Sequence, residues 1–106
     1  MTNSLKTGDV VLVDLGYLAK IRPCVVLSPN PDSQRNAAIL APLTSEIRGG
    51  ESEVKFPKPP WLNVTCVLNL SGIAGIDRAK IQRRLGPFPM EQLTEAKAVL
   101  AKMFSF

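Results

Sequence analysis

Apolar positions along the chain come in short runs separated by turn-forming residues, and only the last segment changes to a helical rhythm. Val10 to Val13 form a β-branched strand, introduced by the turn Lys6-Thr7-Gly8-Asp9 and closed by Asp14. A short connection, Leu15-Gly16-Tyr17-Leu18-Ala19-Lys20, leads to Ile21-Arg22-Pro23 and a second apolar run, Cys24 to Leu27, ending at Ser28. Proline disfavours the α region for the residue before it, so Arg22 is expected to be extended, with its side chain projecting from the start of a strand. Pro29 to Asn36 is dense in turn formers and predicts an exposed loop. Ala37 to Leu43 repeats the apolar build as a third strand and ends in two hydroxyls, Thr44 and Ser45. If the second and third strands pair as a hairpin, Arg22 and Thr44 meet at one end of it.

From Ser45 to Asn63 the pattern loosens. Glu53 to Phe56 alternates like a short strand, and Pro57, Pro59 and Pro60 exclude regular pairing beyond it. Val64 to Leu70 predicts another strand, with Gly72 to Ile76 continuing the sheet after a bend. One helical turn is expected over Asp77 to Ile81, followed by Arg83-Arg84 as a solvated basic corner. Pro89 suits a first helical turn, and Leu93, Ala96, Leu100 and Met103 form one apolar stripe at helical spacing. This helix should lie on the sheet as a lid. Strands two and three are nearly continuous apolar runs, whereas an antiparallel sheet with one wet face alternates. One short helix cannot cover both, so a homodimer using part of this sheet is expected.

Composition narrows the chemistry. The chain has 106 residues, 45% of them hydrophobic, which suits one domain over 1–106. Its net charge of +4 favours acidic or polyanionic partners without naming one. Cys24 and Cys66 lie inside apolar runs and are expected as buried free thiols. No apolar stretch approaches the roughly 20 residues of a membrane span and no signal-peptide core opens the chain, so a soluble, cytoplasmic protein is expected. The chain contains 0 histidines. That removes the usual general acid/base and the commonest metal ligand, and the two separated cysteines give no zinc spacing. Any enzyme built here is expected to need neither metal nor other cofactor.

The order of motifs resembles the MazF/PemK family of toxin endoribonucleases: Gly8 to Val13, Arg22-Pro23 with its run ending at Ser28, Leu43-Thr44-Ser45, Ile76-Asp77, and Leu85-Gly86 before a C-terminal helix. The resemblance spans nearly the whole chain. It implies an α+β, mainly β fold: an SH3-like antiparallel barrel of five to seven strands with a C-terminal helix. It further implies a homodimer, metal-independent cleavage of single-stranded RNA at short sequences, and a MazE-like antitoxin whose acidic segment covers the RNA site. The family's catalytic arginine falls on Arg22 and its hydroxyl partner on Thr44. Tyr17, Lys20, Arg35, Ser45, Arg48, Lys55 and Trp61 are candidate RNA contacts, with Phe56 and Lys58 beside them. Many members carry an Asp-Gln-Ile-Arg run where this chain has Ser71-Gly72-Ile73-Ala74, and the loop before Arg22 lacks the acidic residue some members place there. The general base is therefore unassigned.

Simpler readings stand beside these. Arg22 alone is a solvated strand-end arginine, Thr44 a hydroxyl capping a turn, and Trp61 a side chain packed over the barrel. Two other function classes share the barrel. One is a gyrase poison, disfavoured because that branch ends in a tryptophan-containing tail and this chain ends Met103-Phe104-Ser105-Phe106. The other is a non-catalytic barrel that binds nucleic acid or a protein partner.

Overall fold

The computed structural model describes residues 5–16 and 20–105. Seven strands, β1 (Asp9–Asp14), β2 (Ile21–Ser28), β3 (Ala37–Thr44), β4 (Glu53–Lys55), β5 (Val67–Asn69), β6 (Ala74–Asp77) and β7 (Ile81–Pro87), precede one helix, α1 (Met90–Met103). All pairings are antiparallel, in the order β4-β5-β3-β2-β1-β7, with β6 also on β3. The fold is therefore mainly β with one C-terminal helix, as the sequence predicts. The path is a curled sheet rather than a fully hydrogen-bonded barrel.

Side chains complete what the ladder leaves open. Phe56, just after β4, meets Phe88, just after β7, with ring centroids 4.8 Å apart at 58°, a tilted aromatic pair that draws the two outer strands together. Phe56 is thus core, not the exposed stacking residue suggested by its neighbours. Trp61 closes over the same seam: a Cβ on Gly86 would overlap its indole at Nε1, so only glycine lets the ring lie there.

Curling also answers the two apolar runs. Val10, Val25, Ala41, Leu43, Val54, Leu68 and Leu70 bury one face together with Leu93 and Ala96 of α1. The alternate residues Val11, Val13, Cys24, Val26, Ala38 and Leu40 bury the other face with Leu5 and Ile81. β1, β2 and β3 thus each feed two cores by alternation. The expectation that a second subunit must cover the sheet therefore loses its premise: a single chain buries both faces. The lid helix is confirmed through Leu93 and Ala96, but Met103, assigned to its apolar stripe, stands 40% exposed.

Two other expectations change. The strand over Val64 to Leu70 shortens to β5: Val64 to Cys66 precede the ladder, and Leu70–Gly72 winds into a 3₁₀ turn capped by Asn69, whose side chain accepts from Ser71 N–H. Arg83-Arg84 is not a corner but the middle of β7. There Arg84 Nε donates to Asp9 Oδ1 at 2.9 Å, and the second oxygen of this buried carboxylate accepts from Lys6 N–H at 2.9 Å. A charge-assisted bond to each lone-pair set is what makes the buried charge tolerable, and it clips β7 to the start of β1.

Candidate active site

The register of the sheet assembles the site. Cys24 lies opposite Pro42 in the β2–β3 ladder, and two residues further the same register sets Arg22 level with Thr44. On the far side of β3, Thr44 pairs with Val67, which pairs in turn with Lys55. The row Arg22, Thr44, Val67, Lys55 thus crosses four strands, placing Lys55 two strand spacings, about 10 Å, from Thr44. Pro23 as the third residue of β2 holds the strand start extended, so that Arg22 is exposed at its rim.

Arg22 and Thr44 line one cleft of about 420 Å³, together with Leu15, Pro42, Ser45, Glu46 and Asn69. That volume lies in the lower part of the range usual for ligand clefts. Thr44 Oγ1 accepts from Glu46 N–H at 3.0 Å, so the hydroxyl does cap a turn, and its proton remains available to donate. Arg22 and Ser45 also line an adjoining depression with Leu12, Pro23, Trp61 and Arg83. Here the register again explains the grouping, since Arg83 pairs with Leu12 and Leu12 with Pro23 across β7, β1 and β2. On the other flank, Thr44, Glu46 and Asn69 are shared with a third depression that holds Arg48, Glu53 and Ser71. Three depressions therefore run together across the end of the sheet, with guanidinium groups from Arg83, Arg22 and Arg48 along them.

The loop after Thr44 is tied in place. Glu53 on β4 accepts from Arg48 N–H at 3.0 Å and from Gly49 N–H at 2.8 Å, one carboxylate oxygen each. Arg48 Nη2 meets Glu46 Oε2 at 2.7 Å on the open surface. The Ser71-Gly72-Ile73-Ala74 stretch also borders this end: a Cβ on Gly72 would stand 2.8 Å from Pro42 Cγ, so the turn presses flat onto the cleft wall, and Ser71 Oγ donates to Asn69 Oδ1 at 2.6 Å.

The remaining candidates divide. Ser45, Arg48 and Trp61 line these depressions; Trp61 does so while half-buried against the core, so the packing and site readings hold together. Lys20 ends the β1–β2 connection in a left-handed conformation at φ 58°, its N–H donating to Gly16 C=O at 2.7 Å, two residues from Arg22. Lys58 Nζ donates to Leu62 C=O at 2.9 Å. Arg35 lies elsewhere, at the opposite end of β2, in a cavity with Asn30, Ser33, Asn36 and Arg78. Tyr17 lies outside the described residues. Glu46, Asn69 and Arg83 are site residues that sequence reasoning missed. Glu46 stands two positions past Thr44, and Arg83 would have followed from treating residues 81–87 as a strand with alternating faces.

Both thiols are free, as expected. They belong to opposite cores, Cys66 to the helix-covered one and Cys24 to the other, so the sheet separates them. Burial pushes the Cys24 thiol up to about 12 and raises Cys66 as well. Among the described residues no group of three His, Cys, Asp or Glu side chains could hold a metal ion. Among them also, no helix is long and apolar enough to cross a membrane.

A family model described as PemK-like, MazF-like toxin of type II toxin–antitoxin systems matches residues 6–104. The chain belongs to this family. Among solved structures, the MazF-like chain is similar to MazF from Deinococcus radiodurans, with 23% identity, TM-score 0.78, and 96% of this chain and 97% of that one covered. A mycobacterial endoribonuclease in complex with its cognate antitoxin matches at 21% identity and TM-score 0.78, covering 93% of each chain. The Mycobacterium tuberculosis toxin MazF-mt6 matches at 19% identity and TM-score 0.76, covering 92% of this chain and 97% of that one. At such identities the likeness shows a shared fold. No curated protein matches this sequence significantly.

Proposed function

We propose that this MazF-like toxin is a metal-independent endoribonuclease that cleaves single-stranded RNA by attack of the substrate's own 2′-hydroxyl. The observation that carries this reading is the cleft shared by Arg22 and Thr44 at the matching ends of β2 and β3. In the reaction the 2′-oxygen bonds to the adjacent phosphorus and the P–O5′ bond breaks, leaving a 2′,3′-cyclic phosphate and a 5′-hydroxyl. Charge accumulates on the phosphoryl oxygens as the pentavalent species forms. A guanidinium meets that charge with a planar fork of donors and stays protonated at any working pH. Arg22 fills this role, and the Thr44 hydroxyl adds a second donor. Preorganised donors of this kind are each worth about 10²–10³ in rate.

The flanking depressions suit the RNA strand on either side of the broken bond. Arg83 and Arg48 can pair with neighbouring phosphates, while the Trp61 indole borders the Arg83 side, where a splayed base can meet an aromatic surface. Ser45, Lys20 and Lys55 extend the polar and basic rim. The same basic row suits the acidic segment of a MazE-like antitoxin, and a relative of the same fold is solved with its cognate antitoxin. Ile21, Ile47 and Val64, each about half exposed around this end, offer apolar surface to that partner or to a second copy in a homodimer. A cytoplasmic location follows from an RNA substrate.

The test is incubation of the purified protein with RNA in excess chelator, followed by mapping of the ends. Cleavage giving cyclic phosphate and 5′-hydroxyl ends, abolished in Arg22→Ala with folding unchanged, is the expected result. Absence of cleavage in the unmodified protein, or full activity in Arg22→Ala, returns the chain to the binding-module class.

A further inference from the structure

We propose that Glu46 is the general base that takes the proton from the attacking 2′-hydroxyl. The inference rests on the reading of the Arg22–Thr44 cleft as an RNA-cleaving site and supplies the group that reading lacks. Arg22 cannot serve, because a guanidinium does not give up its proton near neutrality. Thr44 cannot, because an alcohol is too weak a base. Among the described residues lining that cleft, Glu46 alone carries a carboxylate, beside Leu15, Arg22, Pro42, Leu43, Thr44, Ser45 and Asn69.

Glu46 is placed by its backbone, and its exposed carboxylate pairs with Arg48. The Glu46 backbone N–H donates to Thr44 Oγ1, which sets the two residues within one turn. Arg48 Nη2 grips one of its oxygens at 2.7 Å. Glu53 in turn anchors the backbone of Arg48 and Gly49, so that the loop carrying both charges is fixed to β4. One carboxylate oxygen is engaged by Arg48, and the other is the one that accepts the proton. The charged side chains in the two depressions that share Glu46 are Arg22 from β2, Arg48 from its own loop and Glu53 from β4. Of these, Arg48 is in direct contact with Glu46, and Glu53 is engaged by the backbone N–H groups of Arg48 and Gly49.

The step balances. The 2′-O–H proton passes to Glu46 as the O2′–P bond forms, and the P–O5′ electron pair leaves with O5′, which takes a proton from water. The protonated Glu46 then returns its proton to the hydroxide so formed. Neither oxidant nor metal enters.

The experiment measures kcat, KM and their pH dependence in chelator. The substrate is a short RNA containing a site mapped from cleavage of a long transcript, and the proteins compared are the unmodified chain, Glu46→Gln, Glu46→Asp and Arg22→Ala. Glu46→Gln is isosteric at an exposed position, so circular dichroism should be unchanged. It is expected to lower kcat about 10²–10⁴-fold with KM within about threefold, and to remove the fall in rate on the acid side of the profile. Glu46→Asp is expected to keep that acid limb at a reduced kcat. A Glu46→Gln protein with kcat near the unmodified value, an intact acid limb, or a change confined to KM overturns the assignment while the Arg22→Ala loss leaves the cleft reading in place. No cleavage by the unmodified protein, or full cleavage by Arg22→Ala, overturns both.

Discussion

The two ends of the β2–β3 hairpin carry similar side chains in different bonding settings. At one end stand Arg22, Arg48 and Arg83; at the other, Arg35 and Arg78 border a cavity among Asn30, Ser33, Gln34 and Asn36. At the second end Arg78 and Asp32 bond to the backbone of the loop. Arg78 donates through Nη1 to Pro29 C=O and through its backbone N–H to Asn36 C=O at 3.0 Å, while Asp32 Oδ1 caps Gln34 N–H at 2.9 Å. These bonds close the connection between β2 and β3. At the first end the hydrogen bonds shape a rim: Thr44 caps Glu46, Glu53 anchors Arg48 and Gly49, and the cationic heads line open depressions. Arg78 at the second end is thus bonded to backbone carbonyls, whereas Arg48 at the first end pairs with a side chain, Glu46, on the open surface.

The sharpest way to break this contrast is to truncate one arginine at each end. Arg22→Ala is expected to lower RNA cleavage at least 10²–10³-fold, and Arg35→Ala to leave it within about threefold, both read from single-turnover rates. Equal losses would erase the distinction between the ends. Thr44→Val, which keeps the shape and removes the donor, should fall on the Arg22 side of the comparison, with a loss of similar order in kcat.

Stability should divide the same way within β7, whose adjacent arginines face different tasks. Arg84→Ala strands the buried Asp9 carboxylate and should cost about 1–3 kcal/mol in denaturant unfolding, with cleavage per folded molecule retained. Arg83→Ala should leave the unfolding midpoint in place and weaken RNA binding, more so at low salt. Gly86→Ala pushes a methyl into Trp61 and should cost about 1–3 kcal/mol, a loss that Trp61→Ala in the same chain partly absorbs.

The smallest effect concerns the two thiols. Cys24 ionises only near 12 in the folded protein against 9.0 when exposed, so above pH 9 the unfolded chain sheds a proton that the native one keeps. Stability from this group is complete below pH 9 and declines as pH rises above it. Replacing Cys24 with alanine should flatten that decline in unfolding titrations between pH 8 and about 10.5. Cys66 borders the Arg22–Arg83 depression, whereas Cys24 is sealed in the opposite core. Iodoacetamide should therefore label Cys66 first, and RNA should slow that labelling, as mass spectrometry of digests would show.

Much of this was legible from the chain itself. The three apolar runs, the Pro29–Asn36 loop, the short strand at Glu53, the 3₁₀ turn at Arg78 and the terminal helix follow from local rules that depend on neighbours in sequence. So did the approach of Arg22 and Thr44, because consecutive strands joined by one short connection pair as an antiparallel hairpin that brings the start of one level with the end of the other. The strand over β7 was hidden, because Gln82-Arg83-Arg84 looks like surface until Asp9 is seen to bury one arginine's bond. Phe56 looked exposed among lysines and prolines until Phe88, 32 positions later, came to meet it.

The sequence by itself determined the alternation of each strand, the punctuation between strands, the absence of imidazole chemistry and the motif order that marks the family. Only the tertiary structure decided that the sheet curls enough to bury both its faces within one chain, that Arg35 is carried away from Arg22 by the full length of β2, that Glu46 lines the cleft and that Arg83 lines the depression beside it. The physical reason is the range of the interactions. Propensity and turn chemistry act over a few residues, whereas curvature and cleft composition depend on which distant side chains fill the seam between β4 and β7.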